Sequence, residues 1–229
     1  MHGCRLPQHT RAAGGFTLVE LMVALMVMAL LSLMSWRGLD AMGRAQSQTQ
    51  ARADDVLALQ SGLAQWGADL DAMATELATA QSINSLASPL QWNGQVLRIT
   101  RYSNSGELSG LRVVAWAMGE DQGRKVWLRW QSPLLQSHAA LQRAWLQSVQ
   151  WAQSPDAASR ALQVRIVALV DWQLYYYRGG AWSNPGSSSE AAAAIPEGVR
   201  LQLTLPEDLP LSGTLTRDWI RPNAVGTKS

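Results

Sequence analysis

Few side chains in this sequence belong to the types that do chemistry, and one of them stands out by its surroundings. Glu20 is the only charge among the 21 residues from Phe16 to Trp36, FTLVELMVALMVMALLSLMSW. A carboxylate in an apolar run is tolerated best when an opposite charge neutralises it, so Glu20 is a candidate for an ion pair with a partner. The competing reading is an interfacial carboxylate that snorkels to headgroups. Elsewhere the catalytic inventory is thin. His138 is the only histidine after His9, and no nucleophile triad, His-rich metal site or phosphate-cradling GxxxxGK(S/T) loop can be assembled from the sequence. The acidic pairs Asp54/Asp55, Asp69/Asp71, Glu120/Asp121 and Glu207/Asp208 lack the spacing of oxygen donors that a calcium loop needs, so each is expected to be solvated surface charge. Cys4 is the single cysteine, and the chain beyond it offers no disulfide, CxxC site or thiolate nucleophile. Eleven Trp and four Tyr could form stacking platforms for sugars or single strands. Trp116, Trp127 and Trp130 fall inside strand patterns, however, where burial in a core or subunit interface is the expected use. The expectation is a protein that is not an enzyme and needs no cofactor or metal.

The element that carries Glu20 must be a helix of membrane length. At helical rise these 21 residues span about 31 Å, enough to cross a bilayer core. Ten of them are Leu, Val or Phe, each favouring insertion by roughly 0.4 kcal/mol against a cost of roughly 3 kcal/mol for a carboxylate near the centre. Insertion therefore survives Glu20, which also lies near one end. A removed secretory signal is the bland alternative. Against it, the run is longer than a usual signal, no A-x-A site follows, and a carboxylate inside it is unexpected.

Beyond the apolar run, the polar stretch GRAQSQTQARADD leads to Val56, Leu59, Leu63, Trp66, Leu70, Met73 and Leu77. These positions alternate spacings of three and four, which is one apolar stripe on a helix, expected to pack on the domain's own sheet. Gly62 and Gly67 weaken such a helix by roughly 1 kcal/mol each relative to Ala, so packing must supply its stability. From about Pro89 the period changes to two. QVLRITRY, LRVVAWAM, RKVWLRWQ and GVRLQLTL read as strands, with DWQLYYYR and GTLTRDWIR as further candidates. In the clearest, Val199, Leu201, Leu203 and Leu205 share one face while Arg200, Gln202 and Thr204 share the other. Ser137 to Gln153 reads as a helix, and NPGSSSEAAAA, Asn184 to Ala194, as a surface loop. With 229 residues and 47% apolar side chains, the chain suffices for a membrane segment and one modest globular domain.

Charge narrows the partners. Of the 19 Lys and Arg, Arg5 and Arg11 precede the apolar run, which leaves 17 against the 17 Asp and Glu. Such a balance argues against nucleic acid, whose ligands gather a basic excess on one face. Arg5 and Arg11 before the run, and Arg37, Arg44 and Arg52 after it, leave orientation undecided by the positive-inside rule.

The segment GGFTLVELMVAL, Gly14 to Leu25, resembles the processing site of type IV prepilins and type II secretion pseudopilins. The resemblance implies cleavage by a prepilin peptidase between Gly15 and Phe16, methylation of the new amino group on Phe16, and pairing of Glu20 with the N-terminal ammonium of an adjacent subunit. The plain alternative for Gly14 and Gly15 is a flexible tail. WRGLDAM after the apolar run, RITRYSNSGELSGLRVVAW, and YYYRGGAWSNP followed by IPEGVRLQLTL are similar to the minor pseudopilin J of type II secretion, while Gln131 to Leu162 departs from its pattern. Implied is an α+β, pilin-like lollipop, with a long N-terminal helix packed on an antiparallel β-sheet head. Its parts would be a leader peptide at 1–15, a transmembrane helix at 16–36, a stem helix at 37–82 and a β-rich head at 83–229. The same resemblance implies a single-pass inner-membrane protein with its large domain in the periplasm. Its partners would be other minor pseudopilins and the major pseudopilin, near the tip of a periplasmic pseudopilus. A minor pilin of a type IV pilus and a bitopic membrane protein with a ligand-binding head are the rival readings.

Gly15→Leu is expected to leave unprocessed precursor in the membrane, because bulk beside the scissile bond excludes it from the peptidase. Equal amounts of mature protein from mutant and wild type on an immunoblot would contradict this.

Overall fold

The computed structural model describes residues 17–75, 88–105, 108–186 and 195–222. The Gly15–Phe16 junction, Leu77 and most of the loop from Asn184 to Ala194 lie outside the described residues. Helix α1 runs from Leu18 to Asp71. The chain divides into two compact units, residues 1–51 and 52–229.

In the first unit every described residue after Thr17 is helical, and all of them are exposed. Leu, Met, Ala and Val, with no Gly before Gly38 and no Pro, propagate the helix at little cost in side-chain entropy. The second unit buries what the stripe offers. Leu59, Trp66 and Leu70 are at most 2% exposed, and Val56 and Leu63 are half-buried. The stem was expected to stay helical through residue 82, and it does not. Ala72 O accepts from Tyr102 N–H (2.9 Å), Ala74 N–H donates to Thr100 O (2.9 Å), and Met73 forms an antiparallel bridge with Arg101. Strand pairing captures these backbone groups, so α1 stops at Asp71 and Met73 is buried from an extended segment.

The strands are antiparallel throughout and form two sheets where one was expected. The first holds β1 (Leu90–Trp92), β2 (Val96–Ser105), β3 (Leu108–Asp121), β4 (Arg124–Gln131) and β5 (Gln163–Ala168) in that order. Between β4 and β5 come helices α2 (His138–Gln153) and α3 (Ala157–Arg160). The second sheet is built from β6 (Asp171–Arg178), β7 (Ala181–Ser183), β8 (Gly198–Leu205) and β9 (Gly213–Ile220), in spatial order β7, β6, β8, β9. The split occurs after Ala168, where Leu169 N–H bonds back to Lys125 O (2.9 Å) and Val170 N–H bonds across to Thr204 O (2.8 Å). Leu169 and Val170 thus bond to different sheets, and β5 and β6 do not pair. Gly179 and Gly180, with φ of 56° and 87°, make the two-residue turn between β6 and β7, a conformation side-chain-bearing residues resist.

One core lies between α1 and the inner faces of both sheets. It contains Trp66 and Leu70 from α1, Leu97, Ile99, Val114, Trp116 and Trp127 from the first sheet, and Leu174, Val199, Leu201 and Leu203 from the second. The first sheet is covered on its other face as well. There Val96, Val113, Ala115, Ala117, Val126, Leu128 and Trp130 pack with Leu141, Ala144 and Trp151 of α2. Coverage on both faces explains why LRVVAWAM is a continuous apolar run while GVRLQLTL alternates. The expected helix from Ser137 to Gln153 is therefore present, with the Ser137 side chain capping it by accepting from Ala140 N–H. Arg98 joins this face: its guanidinium lies 4.7 Å from the Trp145 ring and donates to Trp145 O (3.4 Å) and to Gln91 Oε1. Desolvation by burial pulls the Arg98 pKa below its usual value.

The two stem glycines turn out to differ. A Cβ on Gly62 would overlap Cγ2 of Ile166 and sit 3.3 Å from Trp127 Cζ3, whereas one on Gly67 would meet nothing within 4 Å. Ile166 is β-branched and cannot swing Cγ2 aside without rotating its whole side chain. In a chain lacking residues 1–36, expected to be soluble with a cooperative transition, Gly67→Ala should stabilise by about 0.5–1 kcal/mol. Gly62→Ala should instead destabilise by about 1–2 kcal/mol from overpacking. Urea unfolding that gives both changes the same sign would dismiss close approach as the role of Gly62.

Candidate functional site: the N-terminal helix and its anchor

The first turn of α1 is built by Thr17. Its hydroxyl accepts from Glu20 N–H (3.2 Å) and its carbonyl from Leu21 N–H (3.2 Å). Thr17-Leu-Val-Glu20 is the S/T-x-x-E pattern of a capping box, a helix-start signal that could have placed the N-terminus of α1 from sequence. Glu20 thus sits in the first turn, where a negative charge interacts favourably with the helix dipole. Its carboxylate has no hydrogen bond or ion pair among the described residues.

Around and beyond Glu20 the helix is apolar on all sides. Leu18 is 75% and Trp36 74% exposed, with Leu21, Val23, Leu25, Leu30 and Leu33 each at least half exposed. The best 18-residue window has a mean hydropathy of 2.3 and no buried residue, so α1 is long and apolar enough to cross a membrane. Three of the hydroxyls bond back within the helix: Ser32 Oγ donates to Met28 O (2.8 Å), Ser47 Oγ to Gly43 O (2.9 Å) and Thr49 Oγ1 to Ala45 O (2.9 Å). Trp36 and Arg37 end the apolar run, the residue types that settle at a membrane interface, and Arg44 pairs with Asp40 one turn apart. The arrangement offers an apolar helix surface with one carboxylate, Glu20, that has no partner among the described residues.

Within the second unit, the last turns of α1 hold a cluster that the sequence reading missed. Asp69 was expected to be solvated and is fully buried. Its Oδ2 accepts from Arg129 Nε (2.8 Å) and Trp116 Nε1 (2.9 Å), and its Oδ1 from Arg129 Nη2 (2.8 Å), Gln65 Nε2 (2.9 Å) and Arg101 Nη1 (2.5 Å). The reason lies in spacing: Asp69 is three residues after Trp66, on the buried side of the helix, so it points at the sheet. Arg101 follows Leu97 and Ile99 by period two, and Arg129 follows Trp127. A charged residue at an inward strand position was the available signal. Asp71 accepts from Trp219 Nε1 (2.7 Å), which ties the same turn of α1 to the second sheet.

The other singled-out residues do not gather. Asp121 pairs with Arg165 (3.4 Å) and Asp208 with Arg124, while Asp54, Glu120 and Glu207 are exposed. His138 is exposed at the start of α2. Among the described residues no three His, Cys, Asp or Glu converge as metal ligands. Trp116, Trp127 and Trp130 are at most 1% exposed, which makes them core.

Residues 10–36 match the family model of the prokaryotic N-terminal methylation motif. That match spans the Gly15–Phe16 junction, Glu20 and the apolar run to Trp36. No curated protein matches the sequence significantly.

Asp69→Asn keeps the shape of the side chain but leaves Arg129 and Arg101 without their counter-charge. The expected cost is about 3–5 kcal/mol, typical of a buried pair broken on one side, seen as a lower urea midpoint. A loss under about 1 kcal/mol would mean that water replaces the carboxylate and the cluster is not an anchor.

Proposed function

We propose that the chain is a minor pseudopilin of the J type, working in type II protein secretion. It is made as a precursor, cut by a prepilin peptidase between Gly15 and Phe16, and methylated on the Phe16 amino group. Residues 16–36 then hold it in the inner membrane with the large domain in the periplasm. From there it joins the other minor pseudopilins and the major pseudopilin near the tip of the pseudopilus, supporting export of folded proteins without catalysing a reaction.

The observation that carries this reading is the methylation motif at residues 10–36 on a helix whose sole charge in the apolar run is Glu20. An unpaired carboxylate in lipid is costly, and the N-terminal ammonium of a neighbouring subunit neutralises it. Pairing also fixes the stagger, because each helix offers one carboxylate and one ammonium a single turn apart. Apolar helix faces then pack on each other with their register set by charge, the best-attested role of a buried ion pair. A minor pilin of a surface type IV pilus draws equal support from the motif. The two differ in phenotype: deletion abolishes secretion and spares piliation in the first case, and the reverse holds in the second.

Glu20→Gln tests the mechanism, since the amide keeps shape and hydrogen-bonding capacity while deleting the charge. Cleavage and membrane level should persist, and co-purification with other filament subunits should fail. Intact mass of the membrane-extracted protein reports cleavage and methylation together. Normal co-purification and full secretion in the mutant would reduce Glu20 to an interfacial residue.

A further inference from the structure

Among the described residues four strands bound the two sheets, and three of them are poor templates for further pairing. β1 and β7 are three residues long, and β5 meets β4 with a register shift between Val126 and Leu128. β9 differs, being eight residues in unbroken register with β8 and free of proline. A long regular edge presents unpaired N–H and C=O groups that proteins ordinarily suppress. Their direction follows from the ladder. Arg221 N–H bonds to Glu197 O on one side of β8, and Thr204 O accepts from Val170 N–H on the other (both 2.8 Å). Odd-numbered amides of β9 therefore point to β8, and those of Thr214, Thr216, Asp218 and Ile220 point away from the sheet.

The side chains along this edge indicate what would pair with it. Leu215, Arg217 and Trp219 lie opposite Leu203, Leu201 and Val199 and share their face, with Arg221 next in the row. Arg217 is exposed and Arg221 half-buried, and neither side chain has an ion pair among the described residues. The acid on the opposite face is already engaged. Asp218 takes two bonds of 2.7 Å from Arg200, and these hold its carboxyl below the usual carboxylate range. Leu211 and Ile220, each 45% exposed, place apolar surface at both ends of the strand. A second copy of β9 fits poorly. Its matching face carries Gly213, Leu215, Arg217 and Trp219 and no acid, so antiparallel self-pairing leaves Arg217 uncompensated.

We propose that the outer edge of β9, unpaired among the described residues, takes an extended segment of a different protein, whose acidic side chains flank an apolar one beside Arg217, Trp219 and Arg221. Main-chain bonds would supply affinity and the alternating side chains specificity. The proposal rests on the assembly reading in one respect, that the partner strand is present in the assembled complex.

The test is amide exchange at single-residue resolution on the full-length processed chain, in native membrane extract and after purification alone in the same detergent. The amides of Thr214, Thr216, Asp218 and Ile220 should exchange at least tenfold more slowly in the extract. Those of Leu215, Arg217 and Trp219 should be slow in both, an alternation that docking on a sheet face would not produce. Arg217→Glu should abolish the extra protection with the odd amides still slow, and Arg217→Lys should retain it. Fast exchange of the four outward amides in the extract overturns the proposal, whichever subunits co-purify. Slow exchange in the chain alone overturns it too, since the edge would then be covered by this chain. Absence of other filament subunits from the wild-type extract counts instead against the assembly reading.

Discussion

Asp69 is the contact on which the arrangement of the larger unit depends. A carboxylate removed from water must have its oxygens filled, and here the donors come from α1 itself, from β2, from β3 and from β4. The position of the helix on the sheet brings Gln65, Arg101, Trp116 and Arg129 to one point. Apolar contacts alone would let α1 slide or rotate along a greasy surface at little cost. The directional bonds select one position, and a register choice of this kind is the use that buried ionic groups serve best. Two residues further on, the Asp71–Trp219 bond repeats the device against the second sheet, and helix, first sheet and second sheet close around a single core.

The close approach at Gly62 follows from the same placement. With Asp69 held against β4, the helix two turns earlier runs over Ile166 and Trp127 with no room for a Cβ. The glycine that weakens the isolated helix is what permits the packing that stabilises it. Helix α2 serves the opposite face of the first sheet with softer contacts, the Arg98 guanidinium over Trp145 and the Trp130–Trp151 stack at 6.2 Å.

Residues 18–51 show the inverse condition. Their large apolar side chains are exposed, and their backbone bonds within the helix, which is the requirement for a segment whose surroundings are lipid or other helices. Nothing within these residues answers the Glu20 carboxylate.

How much of this was legible in the sequence depends on the range of the interaction concerned. Local periodicity and composition determined the membrane-length helix, the solitary Glu20, the stripe at Leu59, Leu63, Trp66 and Leu70, the strands β2, β3, β4, β6, β8 and β9 and the helix at Ser137, because spacing along the chain decides which side chains share a face. The capping pattern at Thr17 and Glu20 was equally local. Tertiary structure alone decided that the strands divide into two sheets, that α1 ends at Asp71 when β2 captures the backbone of Ala72 and Ala74, and that Asp69 is buried. Residues 60 positions apart, Asp69 and Arg129, have no local signature of each other. A carboxylate reads as solvated until the fold brings a guanidinium to it, since burial of a charge is a property of the pair.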